Sequence, residues 1–381
     1  MKSKTLPIFF AFLCMGFVDA VGPFVGLAKE TFALSNTVAS LIPFVGLVMF
    51  GLLSIPMGLL QDKKGKKFIL ILGLGIATFG TLISTLSGFS SYALFLVTVL
   101  LLGAGATTLQ VAGNPIMRDV SEEGKYSRNL SLAQFVKAIG SLSGPVLPAA
   151  AAALWGGTWK DMFPIYTVFL ALTIGLNVTL KVREGKEKKA PATYASCFSL
   201  LGKPYVLMMV MAIFLYVGAE VCMSTGIPLF LKSQYGIDIG KVGILGTGLF
   251  FLALTIGRFL GGMILNWTTP RRFFVFTVGL SILAILGMFV GVKSVALASM
   301  FLVGLGFANI FPLVFSIAVD AMPERTNELS GLMVSAIVGG AILPPLMGLV
   351  ADLTSTLASF LVPLAAILYI GWTALVNLKK A

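Results

Sequence analysis

Apolar residues run along this chain in long blocks separated by short polar punctuation. Each block lasts about 20 residues and shows no alternation of polar and apolar positions. A spanning helix needs about 20 apolar residues, whereas a spanning strand needs about 9–11 with alternating polarity. The pattern predicts an all-α membrane protein. Twelve spans fit, over residues 6–28, 38–60, 68–87, 92–117, 129–153, 163–181, 204–231, 240–265, 272–291, 295–318, 328–351 and 357–378. Connections are short, except for a polar stretch that begins K-V-R-E-G-K-E-K-K-A-P at Lys181. The expected organisation is an N-terminal six-helix bundle (1–181), a cytoplasmic basic linker (182–203) and a C-terminal six-helix bundle (204–381). The first block reads as span 1 and not as a cleavable signal peptide, because it is about 20 residues long and lacks a clear small-residue cleavage site.

Composition fixes the solvent. Of 381 residues, 57% are hydrophobic and only 11% charged. Soluble domains carry about 25% charged residues, because polar groups must coat a surface in water. A soluble enzyme, a DNA-binding domain and a disordered scaffold are thereby excluded. The sequence contains no histidine, which removes histidine-based catalysis, metal binding and pH sensing. Cys14, Cys197 and Cys222 have no CxxC spacing, so no metal or disulfide framework follows from them.

The net charge of +12 is a topology signal once the charges are located. With the N-terminus placed inside, 20 of the 27 basic residues fall in segments on the terminal side and five on the other, with Lys137 and Arg258 within spans. The positive-inside rule then puts both termini in the cytoplasm of a multi-pass protein of the bacterial inner (plasma) membrane. Anionic lipid headgroups, not nucleic acid, are the expected neighbours. Trp155, Trp159, Trp267 and Trp372 lie near predicted span ends, as an aromatic belt requires.

The halves repeat each other at a shift of about 200 residues. G-L-L-Q-D-K-K-G-K-K (58–67) after span 2 matches G-M-I-L-N-W-T-T-P-R-R (262–272) after span 8, with Gly58 and Asp62 spaced as Gly262 and Asn266 are. A-I-G-S-L-S-G-P-V-L-P (138–148) in span 5 matches A-I-V-G-G-A-I-L-P-P (336–345) in span 11. Internal repeats of this kind occur in many transporter folds.

The loop at 58–67 resembles the G-x-L-x-D-R-x-G-R-K signature of the major facilitator superfamily. Four further segments are more specific. They are G-A-G-A-T-T-L-Q-V-A-G-N-P (103–115), R-N-L-S-L-A-Q (128–134), F-L-Y-V-G-A-E-V-C-M-S-T-G-I-P (214–228), and the pair G-F-A-N-I-F-P-L-V-F-S (306–316) and V-G-G-A-I-L-P-P-L-M-G (338–348). Together they resemble the fucose:proton symporter family of hexose permeases, over nearly the whole chain. That resemblance implies a major facilitator fold of two pseudo-symmetric six-helix halves. It also implies uptake of a hexose or 6-deoxyhexose with a cation, usually a proton.

Ionisable residues inside a membrane are costly and mark functional positions. Four lie within predicted spans: Asp19, Lys137, Glu220 and Arg258. Asp19 and Glu220 are near the midplane of corresponding helices and are the candidates for proton or cation coupling. The alternative for each is a fixed interhelical ion pair. Lys137 departs from the resembled family, where an amide is expected. Gln110 departs too, standing where fucose permeases carry a glutamate. Lys137 could snorkel, pair with Asp19, or bind an anionic sugar such as a uronate or sialic acid. Candidate substrate contacts are Gln110, Asn114, Gln134, Lys137, Tyr216, Asn309, Phe311 and Phe44, since sugar recognition needs directional polar groups and aromatic faces. Lipid contact or helix packing is the competing reading for each aromatic. Gly58, Asp62, Lys63, Lys66, Arg118, Arg258 and Asp320 are expected at a cytoplasmic gate.

The expected function is import of a monosaccharide by alternating access with proton symport, and not enzymatic catalysis. The alternatives are sodium-coupled symport, anionic-sugar transport, efflux, and a transporter-like receptor without flux. No phosphate loop is visible, so ATP drive is not expected. No cofactor is expected beyond the coupling ion. The expected partners are a small-molecule sugar, that ion and membrane lipids, with a monomeric protein.

Overall fold

In a bilayer every backbone N–H and C=O must be satisfied within the protein, which leaves helices as the outcome for unalternating apolar blocks. The computed structural model describes residues 6–21, 24–39, 41–180, 192–237 and 248–379, and these residues contain no strand. Its principal helices are α1 (Leu6–Asp19), α2 (Phe24–Thr31), α3 (Leu41–Lys64), α4 (Lys66–Ser87), α5 (Tyr92–Val120), α6 (Tyr126–Trp155), α7 (Met162–Val178) and α8 (Tyr194–Ser199). They continue with α9 (Pro204–Tyr235), α10 (Leu249–Ile264), α11 (Pro270–Met288), α12 (Lys293–Phe307), α13 (Ile310–Ala321), α14 (Thr326–Ser335), α15 (Gly339–Leu353) and α16 (Leu361–Leu378).

Among the described residues, nine helical stretches are long and apolar enough to cross a bilayer. A tenth is the pair Tyr126–Gly144 and Val146–Trp155, bent by 45°. The shorter apolar helices Leu6–Asp19 and Leu249–Ile264 bring the total to the expected twelve. Much of the predicted linker (residues 182–191) and the first residues of predicted span 8 lie outside the described residues. Large apolar side chains such as Leu52, Phe79, Leu86, Leu172, Leu283 and Leu353 are exposed, which suits a lipid-facing surface and no aqueous one.

Among the described residues, spans 1, 10 and 11 are interrupted in addition to the bend in span 5. Span 1 ends its first helix at Asp19 and resumes at Phe24, span 10 breaks between α12 and α13 at Ala308 and Asn309, and span 11 passes through a 3-10 turn, Ala336–Val338, between α14 and α15. Helix ends follow local chemistry. Ser91 caps α5 by accepting from Leu94 N at 3.3 Å, and Thr269 precedes Pro270 at the start of α11. Hydroxyls inside spans bond the preceding turn, as Thr107 does to Gly103 O (2.8 Å) and Thr108 to Ala104 O (2.7 Å).

The chain packs as two compact units whose boundaries differ from the division at the linker. Unit 1 comprises Met1–Glu123, Val136–Ser199 and Glu324–Ser335; unit 2 comprises Gly124–Phe135, Leu200–Pro323 and Ala336–Ala381. Each half of the sequence thus lends the other unit a twelve-residue segment, the first turns of span 5 and of span 11. The two exchanged segments are offset by 200 positions, in step with the internal repeat.

Trp159 departs from the aromatic-belt expectation. It is buried in unit 1 against Phe24, Phe89, Phe95 and Phe163, and its indole donates to Thr31 Oγ1 at 3.3 Å. Trp155, Trp267 and Trp372 are exposed.

Candidate functional site

In unit 1 the site is built where span 1 meets span 5. Their backbones touch because glycine leaves room. A Cβ at Gly140 would lie 2.1 Å from Leu13 O, and one at Gly16 would lie 2.3 Å from Lys137 O. That contact places the end of α1 against α6. Asp19 Oδ2 lies 3.1 Å from Lys137 Nζ and accepts from Ser141 Oγ at 3.0 Å. Asp19 keeps 44% of its side chain exposed, against 15% for Lys137. The carboxylate is therefore both paired and accessible. Gln110 and Asn114 are buried one turn apart on α5, and Gln110 Oε1 has no hydrogen-bond partner.

In unit 2 the corresponding contact is repeated. A Cβ at Gly339 would lie 2.0 Å from Phe214 O. Gly140 and Gly339 are 199 apart, Leu13 and Phe214 are 201 apart, and so are Asp19 and Glu220. The counter-cation does not follow the repeat. The position equivalent to Lys137 is Ala336, and Glu220 is instead faced by Arg258 of α10, whose Nη2 lies 3.6 Å from Glu220 Oε1. Arg258, expected at the gate on the terminal side, is thus placed in a pair with the midspan carboxylate. Tyr216, one turn before Glu220, is fully buried, and its hydroxyl has Glu220 and Arg258 as charged neighbours.

Asn309 sits at the break of span 10. Its Nδ2 donates to Gly257 O at 2.7 Å, and a Cβ at Gly261 would overlap its amide. Phe311 is buried beside Phe315, in the helix after that break. Gln134 is buried in unit 2 with Nε2 unpartnered. Phe44 projects from α3 with 54% of its surface exposed.

Of the residues expected at a gate, Gly58 and Asp62 lie in a clasp in unit 1, and a related clasp in unit 2 is built on their repeat equivalents Gly262 and Asn266. In unit 1, α14 packs on α3 where Gly58 meets Gly331, and Asn327 Nδ2 donates to Asp62 Oδ1 at 3.1 Å. Gln61 Nε2 donates to Asn327 Oδ1 at 2.8 Å, and Ala192 N donates to Asp62 Oδ2 at 2.9 Å. In unit 2 the first turns of α6 pack on α10, where Leu132 covers Gly262 and Arg128 Nη1 donates to Asn266 Oδ1 at 3.0 Å. Asp62 and Asn266, and likewise Asn327 and Arg128, are repeat equivalents. Lys66 pairs with Asp119 at 2.6 Å. Lys63 is exposed at the end of α3, Arg118 closes α5, and Asp320 is exposed near the end of α13.

Sequence reasoning missed two contributors. Ser141 stands four residues after Lys137, a same-face helical spacing that was readable. The helix α8 holds α14 in a way that no motif announced. Arg325 Nη2 donates to Glu328 Oε1 (2.8 Å) and to Ser196 O (3.0 Å), and Ser196 Oγ donates to Glu328. The hydrogen bond to Glu328 raises the Arg325 pKa above its ordinary value. Burial, and then the Glu328 charge, push the Cys197 thiol up to about 11.

The arrangement contains two charge-compensated carboxylates, one per unit, each among buried polar groups. No group of three or more His, Cys, Asp or Glu side chains that could hold a metal ion occurs among the described residues.

Comparison with known proteins agrees with this architecture. The family model described as Major Facilitator Superfamily matches residues 8–337, and the chain belongs to that superfamily. A putative glucose/galactose transporter of Helicobacter pylori (strain J99) is 29% identical over 396 residues, covering 97% of this chain and 95% of that one. The L-fucose-proton symporter of Escherichia coli (strain K12) is 24% identical over 360 residues, covering 85% and 81%. The crystal structure of the superfamily transporter FucP in the outward conformation matches with a TM-score of 0.88 at 20% identity, covering 99% of both chains. The fold is the twelve-helix major facilitator fold of a multi-pass membrane protein.

Proposed function

We propose that this chain is a secondary transporter that imports a neutral monosaccharide, a hexose or 6-deoxyhexose, by proton symport. The observation that carries the reading is the Asp19–Lys137 pair at the break of span 1. Discontinuous helices supply substrate and ion sites in secondary transporters. A proton on Asp19 Oδ2 removes the attraction that holds Lys137 Nζ, so the pair is a switch between two arrangements. Sugar hydroxyls then compete for Asp19, Ser141 and Gln110. Relatives named as glucose/galactose transporters and an L-fucose-proton symporter support the substrate class and the coupling ion.

The distribution of basic residues supports cytoplasmic termini in the inner membrane, where the Asp62 and Asn266 clasps would lie on the cytoplasmic side. The pairing of Lys137 with Asp19 disfavours the anionic-sugar alternative, because its charge is already matched. Catalysis plays no part in this reading; the work is done by binding and rearrangement.

The test is uptake of radiolabelled D-glucose, D-galactose and L-fucose into proteoliposomes in sodium-free buffer with an imposed pH gradient, inside alkaline. Accumulation above equilibrium that collapses with a protonophore is expected. Accumulation only when sodium is supplied would replace the proton with sodium. Absence of uptake for every sugar would remove the sugar reading.

A further inference from the structure

We propose that Tyr216, Glu220 and Arg258 of unit 2 form a second sugar-binding subsite that reads two adjacent hydroxyls of a neutral hexose. This rests on the sugar reading above and assigns that function to a cluster outside the Asp19 site. One buried atom and one open pair carry it. Arg258 Nε has no hydrogen-bond partner, and beside it lies the Tyr216 hydroxyl, 1% exposed and turned to Glu220 and Arg258. A polar group buried in hydrocarbon without a partner is costly, so such an atom points to a partner that comes and goes.

The pair beside them is open to a ligand as well. Glu220 and Arg258 stand 3.6 Å apart, longer than the 2.7–2.9 Å of a closed charge-assisted hydrogen bond. Glu220 therefore retains acceptor capacity and Arg258 retains donors, while Tyr216 Oη can do either. The set carries no net charge, which suits a polyol and not an anion. It is not a by-product of the internal repeat. The position equivalent to Arg258 in the first half is Ser54, whose hydroxyl bonds the carbonyl of Phe50 in its own helix. A carboxylate, a guanidinium edge and a phenol hydroxyl side by side match a vicinal diol, with one hydroxyl donating to Glu220 and its neighbour accepting from Arg258 Nε or Tyr216.

The experiment is equilibrium binding to the purified full-length protein of whichever of D-glucose, D-galactose and L-fucose binds best, together with its monodeoxy analogues. The wild type is expected to lose about tenfold in affinity for analogues lacking either of two adjacent hydroxyls. Tyr216→Phe should weaken the parent sugar by about five- to tenfold and erase the penalty at one of those positions. Glu220→Gln should reduce the penalty at the other. Arg258→Lys, which keeps the charge but lacks Nε–H, provides a second reading should Tyr216→Phe not fold. An unchanged deoxy-sugar profile in folded Tyr216→Phe and Arg258→Lys overturns the subsite and leaves the sugar reading standing. Failure of the wild type to bind any of the three sugars overturns both.

Discussion

The glycine contacts that build both sites lead to a prediction with a sign. Alanine at Gly140 would put its Cβ 2.1 Å from Leu13 O, and ordinary contact begins at 3.4 Å, so the helices must separate by about 1.3 Å there. Alanine at Gly339 would meet Phe214 O at 2.0 Å and demands a similar shift. Both obstacles are backbone and cannot rotate away. Overpacking of this kind costs about 1–3 kcal/mol, partly offset by the roughly 0.5–1 kcal/mol that alanine gains over glycine in a helix. Gly75 and Gly279 are controls, because a Cβ at either meets nothing within 4 Å. Gly75→Ala and Gly279→Ala should be neutral or slightly stabilising, whereas Gly140→Ala and Gly339→Ala should be destabilising. The chain supplies its own reporters, since Cys14 beside Leu13 and Cys222 two residues after Glu220 are both buried. In variants that retain one cysteine, the temperature at which a thiol-reactive dye labels it should fall by a few degrees. Gly140→Ala should lower it for Cys14 and Gly339→Ala for Cys222. Equal behaviour of all four glycine variants would refute the reasoning.

Two other predictions follow from contacts outside the spans. Asp62→Ala removes the acceptor of Asn327 Nδ2 and Ala192 N, and Asn266→Ala removes that of Arg128 Nη1. Each should raise protease cleavage near its own clasp, with Asn327→Ala reproducing the Asp62→Ala pattern; cleavage as in wild type would deny the clasps a holding role. Folding should also hold Cys197 in its protonated form, because burial and the neighbouring Glu328 charge raise its thiol to about 11. Its alkylation at pH 9 should be roughly fiftyfold slower than that of an unfolded thiol, and should climb as pH approaches 11. Since the unfolded thiol ionises first, this group's contribution to stability is complete below about pH 9 and is lost as pH rises towards 11. Rapid alkylation at pH 9 in the folded protein would contradict the burial.

Much of the architecture was legible because the bilayer makes hydrophobic length almost sufficient to define a span. Predicted spans 68–87 and 204–231 match Lys66–Ser87 and Pro204–Tyr235 to within a few residues. The repeat was legible through Gly58, Asp62, Gly262 and Asn266, whose packing partners are also equivalent. The breaks at Asp19 and Asn309 were not read, since an interruption of a few residues leaves apolar length unchanged. Nor was the exchange of segments between units, because hydropathy records depth and not lateral neighbours. The carboxylates were found by scarcity of charge. Their partners required three dimensions: Lys137 was one of several options for Asp19, and Arg258 reaches Glu220 from a different helix of its unit.

The most direct test concerns Asp19. Asp19→Asn keeps the size and polarity of the side chain but cannot cycle a proton. Wild-type and variant proteoliposomes are compared for accumulation driven by a pH gradient and for sugar counterflow without one. Asp19→Asn is expected to lose accumulation and keep measurable counterflow. Full accumulation by Asp19→Asn would contradict coupling through Asp19.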